Sequence, residues 1–317
     1  MRRGCIVWES SLNLSSENPE AAEQRWPGVR LLVLVTGLTL IAFAANSVLT
    51  RAALAPTEDG TRLIDPVGFT WIRLASGAFV LFCLVAFRSG PSEIRRSGSW
   101  ISAAALATYA VAFSWAYLSL SAGTGALILF GAVQATMIGW GIYRGERPLG
   151  LEWIGLAMAI LGLVILVFPG LSSPSPIGAM LMAVAGIAWG VYSLRGRGQA
   201  RPIEATAGNF VRSLPFVTLI ALLAWARLDG TPKGIVLAVI SGAITSGLGY
   251  VLWYTALRGL TATRAALLQL SVPVIAALGG VSLLGEALSA GLIISTLLVV
   301  GGLALAIASK SMRKKSA

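Results

Sequence analysis

The sequence predicts an all-α integral membrane protein of ten transmembrane helices, arranged as two inverted five-helix repeats. Three observations carry this expectation. Hydrophobic residues make up 56% of the 317 and charged residues only 12%, with a mean hydropathy of +0.81, far outside the soluble range. The apolar residues fall into ten runs, and the basic residues between them alternate between rich and poor loops. A chain of this size cannot hide so much apolar surface from water, whereas lipid solvates it directly. Backbone N–H and C=O groups find no water in hydrocarbon, so the spans must be helices or a closed barrel, and long uninterrupted apolar runs exclude the alternating barrel pattern.

Taken in chain order, the segment 1–30 reads as a mobile N-terminal tail, because its one apolar stretch, CIVW, is too short for the core of a signal peptide. The ten runs follow at roughly 31–53, 66–87, 100–118, 123–143, 153–168, 176–194, 207–226, 234–257, 262–284 and 288–308. Spans four and five are separated by RGERPLGLE, spans nine and ten by GEA alone. The chain closes on a basic tail, 310–317. Cys5 in the N-terminal tail and Cys83 in the second span form no disulfide framework, and no spacing suits a metal.

The positive-inside rule tests the count. With the N-terminus cytoplasmic, the inside loops and tails hold eighteen Lys and Arg residues. The outside loops hold four: Arg51, Arg62, Arg227 and Lys233. Shifting the count by one span scrambles that division. The net charge of +11 therefore reads as topology, with both termini cytoplasmic, and no nucleic-acid partner is expected.

Ten spans can be two fives. Displaced by 140 residues and without a gap, Ala116, Leu120, Ala122, Ala126, Leu127, Gly139, Gly145 and Glu146 fall on Ala256, Leu260, Ala262, Ala266, Leu267, Gly279, Gly285 and Glu286. The Gly-Glu pair closing both segments weighs most, since small apolar matches are common in this composition. At nearly the same displacement, WIRLAS around Arg73 meets FVRSLP around Arg212. The repeats are placed at 31–170 and 171–309. An odd number of spans per repeat forces the second to enter the membrane inverted, the plan of many secondary transporters.

At these residues the chain resembles a known family. The pattern YTALRGLTATRAALLQLSVPVIAALGGVSLLGEAL is similar to the end of an EamA-type repeat of the drug/metabolite transporter superfamily, and AYLSLSAGTGALILFGAVQATMIGWGIYRGERPL is similar to its first-half copy. The first copy departs from the pattern, with Val133 where the second has Pro273 and Arg144 in place of Leu284. The resemblance covers about 31–309. It implies a bacterial inner-membrane exporter or importer of small metabolites, with a central cavity lined by spans one, three, four, six, eight and nine; of the two directions, export is the one expected.

The candidate site residues follow from polar groups set within the spans. Pro273 removes the backbone donor for the carbonyl of Gln269 and disfavours a straight helix, so Gln269, Ser271 and Pro273 are expected to form a kinked polar patch facing the cavity. The alternative is a structural kink with interhelical hydrogen bonds. Gln134, one position from the symmetry mate of Pro273, is given the same role. Asn46, Trp189, Tyr192 and Tyr254 complete the expected cavity, from a group that also includes Trp115, Tyr250 and Trp253; such a cavity suits a neutral, zwitterionic or aromatic metabolite, and bulky core packing is the alternative for the aromatics. Trp100, Trp153 and Trp225 read as interfacial belts.

Arg73 and Arg212 are the basic residues well inside spans, and an arginine near mid-membrane rarely faces lipid. Arg73 lies seven residues after Pro66, which at ~1.5 Å per residue is ~10 Å from the outer end. The pair suits gating or anchoring, one at each side. Snorkelling to the headgroups and contact with an anionic substrate group are the alternatives. No Asp or Glu lies within an expected span, which disfavours a strongly proton-coupled mechanism. Glu146 and Glu286 close spans four and nine beside the N-termini of spans five and ten, where the helix dipole favours an anion.

Enzymatic chemistry is disfavoured. The chain has no histidine to serve as base or ligand, and no acidic pair at depth. No cofactor is expected. Gly150 with Gly155, and the run Gly301-Gly302, read as close helix packing. The expected partners are a small-molecule substrate and the bilayer, with the chain a monomer or homodimer. A non-transporting membrane scaffold is the alternative from another class.

Overall fold

The computed structural model describes residues 29–57, 59–143, 150–167, 174–196, 199, 201–224, 229–260 and 268–316. The described residues are almost wholly helical, with one isolated bridge between Ile64 and Gly230. In chain order the helices are α1 (Val29–Leu54), α2 (Pro66–Arg88), α3 (Ser92–Arg96), α4 (Trp100–Ala116), α5 (Ala122–Tyr143), α6 (Gly150–Val167), α7 (Pro176–Gly196), α8 (Pro202–Leu223), α9 (Pro232–Ile240) and α10 (Gly249–Gly259). A π-helical segment, Ser241–Leu248, joins α9 to α10, and α11 (Val272–Leu284) and α12 (Ala290–Ser316) follow. Among the described residues, six helices are long and apolar enough to cross a membrane: α1, α2, α5, α7, α8 and the rod begun by α9. Four shorter apolar helices, within α4, α6, α11 and α12, accompany them.

The helix starts are chemically specified. Asp65 caps α2 by accepting from the N–H groups of Val67 and Gly68, each at 2.9 Å, and Pro66 supplies a first residue that needs no donor. Thr231 and Pro232 do the same for α9, and Ser99 caps α4 by accepting from Ser102 N–H at 3.1 Å. α8 starts at Pro202, five residues before the expected span, and so takes Glu204 into its first turn, where the dipole favours it. Ser89 donates to that carboxylate at 2.9 Å. The short helix α3 is an element the apolar pattern does not announce.

Small residues set the closest crossings. A Cβ on Gly155 of α6 would strike the carbonyl oxygen of Gly302 on α12, and one on Gly302 would strike Gly155 in turn, so the two backbones are in direct contact. By contrast Gly150 and Gly301 face open space. α4 packs against α7 and α8, α5 against α7 and α11, α2 against α8, α9 and the π segment, and α1 against α10, α11 and the π segment. The buried core is continuous through this bundle. Outside it, large apolar side chains face outward, Phe79 at 68% exposure, Ile177 at 72% and Leu297 at 68%, a surface that only lipid satisfies.

Candidate functional site

A small central cavity lies where helices of both chain halves meet. α1 contributes Phe43, Asn46 and Ser47, α4 contributes Tyr109 and Phe113 one turn apart, and α5 contributes Leu129 and Phe130. Trp189 of α7, Thr245 of the π segment and Tyr250 of α10 complete the wall. About 20 Å³ is open inside it, room for roughly one water molecule. The aromatic rings lock together at the ordinary distances of edge and tilted contacts. Phe43 lies 6.5 Å from Trp189, 6.0 Å from Tyr250 and 5.7 Å from Trp253, and Trp189 lies 5.0 Å from Tyr109 and 4.8 Å from Tyr250.

A buried polar network runs along one side. Asn46 donates to the Tyr109 hydroxyl at 3.4 Å and accepts from the Ser241 hydroxyl at 2.7 Å and the Thr245 hydroxyl at 3.2 Å. Arg73 donates from Nη2 to the same Tyr109 hydroxyl at 2.9 Å and from Nε to Ser246 at 3.2 Å. The π segment makes this possible: its wider turn presents three hydroxyls toward α1 and α2, a distortion that recurs at functional sites. Gly242 lets it press against α2, because a Cβ there would collide with the Arg73 carbonyl oxygen.

Arg73 is 1% exposed. Its guanidinium lies 5.2 Å from the Tyr109 ring centre and 5.0 Å from that of Phe113, and Nη1 has no partner among the described residues. No carboxylate pairs with it among them. Burying an ion costs several kcal/mol, and a cation–π contact returns only about 0.5–2 kcal/mol. The second arginine is spent differently. Arg212 donates to the carbonyls of Arg95 at 2.7 Å, Gly208 at 3.1 Å, Ile94 at 3.4 Å and Ser97, tying α8 to the end of α3.

Polar contacts tie separate helices together at both ends of the bundle. At the end where α1 finishes, Arg51 donates to Glu286 at 3.2 Å and to the Tyr117 carbonyl at 2.9 Å. Glu286 also accepts from Ala122 N–H at 2.9 Å. At the opposite end, Asn209 accepts from Ser99 N–H at 2.8 Å, and Arg195 donates to the Ser102 hydroxyl at 3.1 Å. Among the described residues no cluster of three or more His, Cys, Asp or Glu could hold a metal.

Several expectations need correction. Among the described residues, none of span nine stands in the wall of this cavity. Gln269 is buried and Ser271 half-buried, with the Ser271 hydroxyl turned back to the Leu268 carbonyl at 2.6 Å, and neither belongs to the cavity wall. Pro273 does not kink a continuous helix. A turn at Leu270–Ser271 precedes α11, and Pro273 lies in its first turn, where a missing N–H is harmless. Glu286 serves the N-terminus of α5 and not that of the helix following it. Arg73 stands behind the wall rings Tyr109 and Phe113, whereas Arg212 ties α8 to the end of α3.

Asn46 and Trp189 are brought together at the cavity. Tyr192 stacks on Trp189 at 5.4 Å and receives Asn209 Nδ2 at 3.5 Å, behind the wall. Gln134 is buried on α5, one turn beyond the wall residue Phe130, and its Nε2 has no partner among the described residues. Glu146 and the side chain of Tyr254 lie outside the described residues. The sequence reading missed Phe43, Tyr109, Phe113, Ser241, Thr245 and Ser246. The signal for the last three was the run SGAITSGL, small and hydroxylic inside an apolar span.

Residues 176–308 match the model of the EamA-like transporter family. An uncharacterized protein of Pseudomonas aeruginosa is 51% identical over 284 residues, 89% of this chain and 96% of that protein. The threonine/homoserine exporter RhtA of Salmonella typhimurium is 26% identical over 274 residues, 83% of this chain and 88% of that exporter. An uncharacterized transporter of Archaeoglobus fulgidus is 26% identical over 260 residues, 77% of this chain and 86% of that protein. A solved crystal structure, 21% identical in sequence, superposes with a TM-score of 0.63 over 88% of this chain and 98% of its own, a likeness of fold. With its apolar helices and its transporter relatives, the chain is an integral membrane transporter that belongs to the EamA-like family of the drug/metabolite transporter superfamily.

Proposed function

We propose that this chain is a secondary carrier of small amino-acid-like, aromatic or drug-like solutes, working by alternating access and in the direction of export. The observation that carries the reading is the small central cavity, lined by Asn46, Tyr109 and Trp189 from both chain halves, with bonds between separate helices at each end of the bundle that can serve as seals. A solute site at the junction of two halves, with a removable seal on each side, is what rocking around a fixed site requires. Ten transmembrane helices in two inverted repeats, 31–170 and 171–309, fit the packing. Exchanging the halves carries the α1–α10 and α1–α11 contacts onto α7–α4 and α7–α5, and the α2–α9 contact onto α8–α4. The pairs α2–α8, α5–α11 and α6–α12 then lie on the axis relating the halves.

The loop charges favour cytoplasmic termini in a bacterial inner membrane, which puts the Arg51–Glu286 seal outside and the Ser99–Asn209 seal inside. Rocking outward releases the first seal while the second holds. The similarity to an exporter named for threonine and homoserine supports both amino-acid-like cargo and export.

Leu129→Cys, made with Cys5→Ser and Cys83→Ser, tests the reading. In right-side-out and inside-out vesicles, a membrane-impermeant thiol reagent is expected to label this cavity position from either face, and bonding one seal shut should abolish labelling from that face. Labelling confined to one face in every state would overturn alternating access.

A further inference from the structure

We infer that Arg73 is the receptor for an anionic group of the transported solute, so that the carrier selects molecules joining a carboxylate to an apolar or aromatic body. The inference rests on the carrier reading and names its substrate class. A guanidinium cannot discard its proton, so Arg73 carries a full charge at 1% exposure. Its bonds go to two neutral hydroxyls, those of Tyr109 and Ser246, and its faces to two rings. None of these cancels the charge, and Nη1 has no partner among the described residues. Buried charges of this kind are paired or mark a ligand path.

The position suits a ligand path. Tyr109 and Phe113 are both wall residues of the central cavity and the rings against which Arg73 packs, so the charge lies one ring behind the opening. The planar guanidinium fork matches a carboxylate, and the rings of Phe43, Trp189 and Tyr250 suit the apolar remainder. Structural use is the competing role, and Arg212 shows what it looks like here: that guanidinium meets four backbone carbonyls, whereas Arg73 meets none among the described residues.

The test is competition in liposomes reconstituted with the full chain. Counterflow of labelled L-phenylalanine and L-threonine is measured against unlabelled L-phenylalanine, 3-phenylpropionate, L-phenylalaninamide and phenethylamine. The two carboxylates are expected to compete, and the amide and amine to be at least tenfold weaker. In Arg73→Gln the advantage of carboxylate over amide should fall at least tenfold, with Arg73→Lys keeping part of it. If Arg73→Gln does not fold, the wild-type series decides alone. Acid and amide competing equally, with counterflow intact, would overturn the anion assignment and leave the carrier reading standing. Counterflow of neither label by folded protein would remove both.

Discussion

The carboxylate of Glu286 holds the Arg51 guanidinium at 3.2 Å while accepting the backbone N–H of Ala122 at 2.9 Å. One side chain thereby joins the end of α1, the start of α5 and the turn after α11. The α5 N-terminus adds its dipole to the attraction, and both partners are mostly screened from solvent, with 20% and 14% of their side chains exposed.

Glu286→Ala is expected to lower stability by about 1–3 kcal/mol, since it leaves a largely buried donor and a cation without their acceptor. A lower unfolding temperature of the purified protein checks this. The same variant should increase reagent access to Leu129→Cys from the Arg51 end alone. Unchanged access would mean that this contact does not seal the cavity.

At the α6–α12 crossing, Gly155→Leu forces a branched side chain onto the backbone of Gly302. Overpacking of this kind costs typically about 1–3 kcal/mol, and more is expected where the obstacle is backbone. Gly150→Leu, which meets open space, should be nearly neutral. The comparison of their unfolding temperatures separates packing from a general intolerance of glycine replacement.

Gly242→Ala should disturb the cavity without touching its wall. The added Cβ collides with the Arg73 carbonyl and the Ser76 hydroxyl, so the π segment must move away from α2, taking Ser246 from Arg73 and Ser241 from Asn46. Flux is expected to fall several-fold in protein that still elutes as a folded species. An unaltered rate would show that the π segment's approach to α2 is not needed.

Arg212→Met is expected to destabilise the protein by about 1–3 kcal/mol through loss of its carbonyl contacts, while leaving the preference for carboxylate over amide unchanged. A changed preference would move the solute contact from Arg73 toward the opposite arginine.

Much of the fold is legible in the sequence because lipid enforces it. Among the described residues, six of the apolar runs coincide with helices long and apolar enough to cross a membrane and the other four overlap shorter apolar helices, and Gly155 and Gly302 meet as close-packing residues. The site is less legible because it depends on tertiary pairing. Nothing local says that Glu286 reaches Ala122, 164 residues away, nor that Tyr109 is the shared acceptor of Asn46 and Arg73. The misplacement of Pro273 has a similar origin. A proline in an apolar run reads as a kink, and only the turn before α11 reveals it as a helix start. The π segment is hidden too, because a change of backbone hydrogen-bond register leaves only a weak mark in composition.

The most direct measurement is counterflow of labelled L-threonine and L-phenylalanine into liposomes holding the wild-type chain or Asn46→Leu, beside protein-free liposomes. Asn46 lies in the cavity wall and bonds both Tyr109 and the π segment. The account predicts exchange that requires the protein and drops at least tenfold in the variant while its elution profile is unchanged. Exchange at the wild-type rate in folded Asn46→Leu would contradict a transport path through this cavity.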